Sequence, residues 1–187
     1  KKGILYHINY NVVTKEFDGF VKDIDESYTL QNQAHLGLQV QQTKFQGNGD
    51  LVVPSHLDVE SQKILLSLAN QNEELTFNID NFHSSSNFEN ATTYTTESKL
   101  QNLLIKTQTK QAKKEIIDIE NIHVNVASNT QGEKAEFSSK LSLDSMLVKL
   151  DGNDLNLTAL NYDTTLSEMD KKSFNELRVL LSQSKFS

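Results

Sequence analysis

The sequence predicts an α+β protein that is mainly β. The expected architecture is an extended antiparallel sheet built from a duplicated strand–bulge–strand unit, with one or two helices including a C-terminal helix. Three observations carry this expectation. Apolar and polar residues alternate through most of the chain. One unusual pentapeptide pattern is written twice, as "IDNFH" at 79–83 and "IENIH" at 119–123. Apolar spacing turns helical in only two stretches.

The elements follow in order. In "YHINYNV" the residues Tyr6, Ile8, Tyr10 and Val12 share one face, and His7, Asn9 and Asn11 the other. That is a strand with one buried side. "KEFDGF" reads as a turn through Asp18 and Gly19. Ile24, Tyr28 and Leu30 share one parity, and Leu36, Leu38 and Val40 do the same. "QGNGD" at 46–50 is the strongest turn signal, and "LVVP" reads as a short strand that Pro54 ends or confines to an edge. "SHLDVESQKILLSLANQ" changes period. Leu57, Ile64, Leu65, Leu68 and Ala69 fit one helical face, with Ser55 or Asp58 as cap. Alternation returns from Glu74 to Leu157. Met169, Phe174, Leu177, Leu180 and Leu181 then predict a C-terminal amphipathic helix capped by Asp170 or Ser173.

The doubled pentapeptide explains the repeat. Leu75, Phe77 and Ile79 lie on odd positions, and the next apolar residue, Phe82, lies on an even one. Ile117 and Ile119 are odd, whereas Ile122, Val124 and Val126 are even. Both segments change face across an acid–Asn pair. A β-bulge or a tight hairpin turn would do this, and the bulge is preferred because Glu120 suits a positive φ poorly. Downstream, "LQNLLIK" (100–106) matches "LDSMLVK" (143–149). The repeat units are therefore approximately 75–107 and 115–150, within a single domain spanning 1–187. The opening "KKGILYHINY", without an initiator Met, reads as a fragment of a longer protein.

Composition narrows the function classes. The net charge is −7, with signs interspersed, which gives no basic footprint for nucleic acid. Lys110, Lys113 and Lys114 are followed at once by Glu115 and Asp118 and read as a solvated edge. There are 0 Cys, so no disulfide or thiol chemistry is available. No apolar run approaches the ~20 residues that span a bilayer.

No motif gathers reactive groups. The histidines His7, His35, His56, His83 and His123 offer no His-x-x-His pair. His83 and His123 sit on the polar face of matched strands. A metal or pH-sensing pair there lacks a third ligand. "DIDES" and "DGND" lack the alternation of a calcium loop, and "GNGD" lacks the Lys and helix of a phosphate cradle. No catalytic, cofactor-binding or metal residue is assigned, and no cofactor is expected.

The paired "IDNFH…LQNLLIK" and "IENIH…LDSMLVK" units and the Asn/Gln-rich turns resemble the YdgA-like family of Gram-negative bacterial envelope proteins, a family of unknown function. The similarity spans roughly residues 75–181. It implies a periplasmic or cell-envelope location and a membrane-anchored parent, and it carries no catalytic residue. The expectation is a non-enzymatic envelope domain, a scaffold or binding surface for a partner protein or a lipid-like apolar ligand. The alternative is a hydrolase-type enzyme or accessory domain with an unrecognised carboxylate site.

Overall fold

A computed structural model describes residues 4–30, 34–90, 92–109, 114–131, 133–173 and 176. Eleven strands form one sheet: β1 (Tyr6–Tyr10), β2 (Glu16–Val21), β3 (Ile24–Thr29), β4 (His35–Gln41), β5 (Thr43–Gly49), β6 (Pro54–Ala69), β7 (Glu73–Asn90), β8 (Thr93–Thr109), β9 (Lys114–Gln131), β10 (Lys134–Leu150) and β11 (Asn153–Asp170). The order is β1-β2-β5-β6-β7-β8-β9-β10-β11, with β3 on β4 and β4 on β6. All pairs are antiparallel. The sheet does not close into a barrel.

The short strands are halves of long ones. β4 and β5 both lie along β6, with Gln41 opposite Lys63 and Lys44 opposite Glu60, so one register runs through both. β2 and β3 run likewise along β5 and β4. Only Lys22–Asp23 and Gln42 separate the halves. The amide N–H of Gln42 donates to Asp23 Oδ1 at 2.8 Å, which fixes the bend. The sheet is thus a meander of long strands, each bent near its middle.

The bend explains the doubled pentapeptide. Asn81 and Asn121 are left-handed, each with φ 51°, and Gln42 (φ 49°) and Ala159 (φ 55°) stand at the equivalent place in other strands. The register does not change there. Asp80 opposes Asn102 and Phe82 opposes Leu100, and no residue is inserted. The expected bulge is therefore a left-handed residue. The backbone turns over without adding to the strand, and both neighbours stay in step. Asn accepts this conformation because its short amide can bond locally. Asn81 Nδ2 donates to Gln101 Oε1 across the strands, and Asn121 Nδ2 to Asp144 Oδ2 at 2.8 Å.

Several expectations need correction. Residues 54–69 form β6 and no helix. The apolar residues Leu57 and Val59 lie before the bend, and Ile64, Leu66 and Leu68 after it. The change of parity across Gln62 and Lys63 imitates helical spacing. Asp18 and Gly19 are not a turn but lie inside β2, where Gly19 opposes Phe45. An added Cβ on Gly19 would stand 2.4 Å from the Phe45 ring, and one on Gly47 would stand 2.6 Å from the Phe17 ring. Each phenyl ring lies over a glycine on the next strand, and Phe17 is only 6% exposed as a result. Pro54 opens β6 instead of ending a strand, a position that needs no ladder N–H.

At the C-terminus the chain turns helical at 171–173 and 176. Asp170 Oδ1 accepts from the amides of Lys172 (2.7 Å) and Ser173 (3.0 Å), so Asp170 caps the turn. Met169 belongs to β11. The remainder of the expected helix, 174–175 and 177–187, lies outside the described residues, as do Lys110 and Lys113.

A second layer is missing from the described residues. Among them the buried apolar side chains are Phe17, Ala34, Ala135 and Leu143. The accessible surface is 13260 Å². A compact chain of 21.1 kDa would expose about 9000 Å². The difference is what a single sheet with two open faces requires.

Candidate functional site

Antiparallel pairing puts laterally opposed residues on the same face. Following the register across the sheet therefore shows what each face offers. Beyond the bend one row reads Ile24, Val40, Ile64, Ile79, Leu103, Ile119, Met146 and Leu157, an unbroken line of apolar side chains on eight neighbouring strands. Two positions on, Leu38, Leu66, Phe77, Ile105, Ile117, Val148 and Leu155 form a second row on the same face. All are half-buried or exposed, from the intermediate Ile79 to Leu155 at 52%.

Before the bend the apolar rows fall on the other parity: Val21, Phe82, Leu100 and Ile122, then Phe45, Val59, Val124 and Leu141. They are diluted by small hydroxyl residues in the middle strands. Ser84 and Ser98 share a hydrogen bond of 2.9 Å, Ser86 and Thr96 one of 3.0 Å, and Thr43 and Ser61 one of 2.9 Å. These pairs satisfy their hydroxyls laterally, so Ser61 and Ser86 are buried at no cost in lost hydrogen bonds.

The polar face shows why the parity changes. A depression of about 380 Å³ is lined by Gln41, Lys63, Asp80 and Asn102 together with their chain neighbours Gln62, Asn81 and Gln101. A neighbouring depression of about 320 Å³ includes Gln62 and Asn81 with Lys44, Glu60 and His83. Two successive polar rows therefore face the same way at the bend. In a strand of strict alternation they would face opposite ways. The bend, which has a left-handed residue in alternate strands at Gln42, Asn81, Asn121 and Ala159, spends two polar positions on one side, and the apolar rows before and after it stay on the other. The apolar side chains before and after the bend thus lie on one side of the sheet, with the small hydroxyl residues among them and with Glu26, Thr107 and Glu115 toward its far end.

The titratable groups are dispersed over the polar face. His83 and His123 do lie in one row, but Lys99 stands between them, opposite both. Two strand spacings separate them, about 10 Å. A cation between the two imidazoles opposes a shared metal. His123 Nε2 instead bonds Glu97 Oε1 at 2.8 Å, and Lys99 Nζ reaches the same oxygen at 2.7 Å. Lys99 first, then His123, holds the Glu97 carboxyl below its usual range. Among the described residues no three His, Asp or Glu side chains converge as a metal site would need.

One pair was not singled out by sequence. His56 Nδ1 contacts Asn87 Oδ1 at 2.8 Å and His56 Nε2 contacts Asp58 Oδ2 at 3.0 Å. Asn87, then Asp58, raises the His56 pKa above 6.5. A hydrogen bond from Ser85, then one from His56, lowers that of Asp58. The signal was a His-x-Asp spacing, which puts both side chains on one face of a strand. The pair borders a depression of about 840 Å³ that also takes in Tyr10, Glu16, Phe17 and Gly47.

Among the described residues fold and faces together define an open antiparallel sheet of one layer, with one mainly apolar and one polar side. Comparison of the chain with protein-family models, with curated proteins and with solved structures gives no match.

Proposed function

We propose that this chain is a non-enzymatic scaffold whose apolar sheet face is a binding surface, for an apolar partner protein or a lipid-like ligand, in a bacterial envelope protein. The single observation that carries the reading is the row from Ile24 to Leu157, eight neighbouring strands that present only aliphatic side chains and Met to the outside. Exposed apolar patches of this extent mark interaction surfaces. Most side chains of the row are already half-buried by their neighbours. A partner therefore adds about 25 cal/mol for each further Å² it covers, a fraction of a full side-chain burial at each position and a large sum only over the whole face. The envelope location rests on the resemblance to YdgA-like proteins. The likeness of β7–β8 to β9–β10, with Asn81 and Asn121 in one conformation, supports the reading of 75–107 and 115–150 as copies of one unit.

The test is binding. Purified protein is mixed with a dye that fluoresces on apolar surfaces, and its native mass is recorded with and without solvent extraction. The reading expects strong dye binding or co-purifying lipid in the wild type. Leu103→Glu with Ile119→Glu should lose either signal while keeping the β-sheet circular dichroism. A wild type that binds neither dye, lipid nor protein partner ends the proposal.

A further inference from the structure

The two borders of the sheet differ. One is broken into the short strands β1 and β3, whereas the other is β11, 18 residues long. Among the described residues β11 pairs with β10 alone. Natural edge strands are usually blunted by Pro, by charges (Lys above all) or by β-bulges, or kept short. The one register shift of β11 lies at its far end, between Leu166 and Met169, with Glu168 left-handed (φ 56°), so the edge is regular from 153 to 166. Residues 153–170 contain no Pro, Lys or Arg.

The side chains of β11 also stand as if a further strand were due. Leu157, Leu160 and Tyr162 lie opposite Met146, Leu143 and Leu141 of β10. Leu143, flanked on both sides, is 7% exposed, whereas Leu160 and Tyr162 are 40% and 59% exposed. The charges of β11 are all acidic. Asp154 meets Lys149 at 3.4 Å and Asp163 meets Lys140 at 3.2 Å, and both acids remain open on their outer side. Two copies of β11 cannot join with their apolar rows matched, because Asp154 would then oppose Asp163 of the other copy. The left-handed Ala159 is no obstacle, since Asn81 and Asn121 share its conformation in strands paired on both sides.

We propose that β11 is an acceptor edge for an antiparallel strand of another polypeptide. The incoming strand carries apolar side chains opposite Leu157 and Leu160 and cationic ones opposite Asp154 and Asp163. Main-chain hydrogen bonds supply affinity, and the alternate side chains supply the choice of partner. This edge is separate from the apolar face, and its test is independent of that reading.

β10 already meets these requirements on the inner side, so its sequence is the probe. A fluorescent 17-residue peptide with the sequence of 134–150 is added to the intact protein. Anisotropy should rise, and hydrogen exchange should slow within 153–170. A peptide with Lys140→Glu and Lys149→Glu should bind at least about fivefold more weakly at low salt, because two opposite-charge pairs become repulsive. The proposal is overturned if 153–170 gains no protection or if both peptides bind equally. It is also overturned if protection appears on β1 and β3 instead, or if the protein's own 134–150 loses protection, which would mean strand exchange.

Discussion

Glycine at the bend should act with the opposite sign to glycine elsewhere in a strand. Inside an ordinary strand, Gly is less stable than Ala by about 0.5–1 kcal/mol. At a left-handed position Ala costs about 1–2 kcal/mol that Gly does not. Asn121 (φ 51°) also donates to Asp144 at 2.8 Å, in an exposed contact whose net value is about 0.5–1 kcal/mol. Asn121→Ala loses the bond and meets the strain, for a cost of about 2 kcal/mol. Asn121→Gly loses only the bond and should cost less than about 1 kcal/mol. Ala159→Gly has no side-chain bond to lose at φ 55° and should stabilise the protein by about 0.5–1 kcal/mol. Urea unfolding followed by far-ultraviolet circular dichroism reads all three, provided the m-values agree. The reasoning fails if Gly is worse than Ala at position 121 and Ala159→Gly destabilises, since that is the behaviour of an unbent strand.

Three further outcomes are expected. Gly47→Ala should cost about 2 kcal/mol, because the new methyl stands 2.2 Å from the His56 carbonyl oxygen and 2.6 Å from the Phe17 ring. Gly37→Ala should cost less in the same urea titration, as its nearest neighbour is the Ser67 hydroxyl, which can rotate away. The His56–Asp58 pair should make stability pH-dependent. His56, with its pKa raised, contributes fully below about pH 6.5 and loses the contribution as pH rises through its folded value. Asp58, with its pKa lowered, contributes above about pH 4 and loses it as pH falls through its folded value. The pair's part of the denaturation midpoint therefore peaks between these limits, and a double variant His56→Gln with Asp58→Asn should lack that peak. Thr109→Val should leave stability unchanged or raise it by up to about 1 kcal/mol in urea titrations, since the buried Thr109 hydroxyl has no partner among the described residues.

Much of the sheet could be read from alternation, because a half-buried strand must alternate. The strands from Glu74 to Leu157 were legible in that way, and the change of face at Asp80–Asn81 and Glu120–Asn121 was visible too. Its physical form was not. Both a bulge and a left-handed residue shift parity, and only pairing on both sides of Asn81 separates them. A change of face also hid in Gln62–Lys63, where neither residue is left-handed and no Asn announces it, and there it produced a false helical period. The seats of Phe17 and Phe45 over Gly47 and Gly19 were not legible, because each joins two strands apart in sequence and Phe17 lies in a segment that reads as a turn. Alternation marks the apolar rows as one side of the sheet, either buried or a binding surface. That no second layer covers them among the described residues is a matter of tertiary arrangement, which alternation does not encode.

The meander has a consequence for how the molecule comes apart. Among the described residues each long strand pairs only with the strands that flank it, and no central element ties distant hairpins together. Free energy is then the sum of successive links, as in a linear chain of coupled spins. Heat or force should peel hairpins from the borders inward, in steps, and a gene that gained or lost one hairpin would lengthen or shorten the ribbon without disturbing what remains.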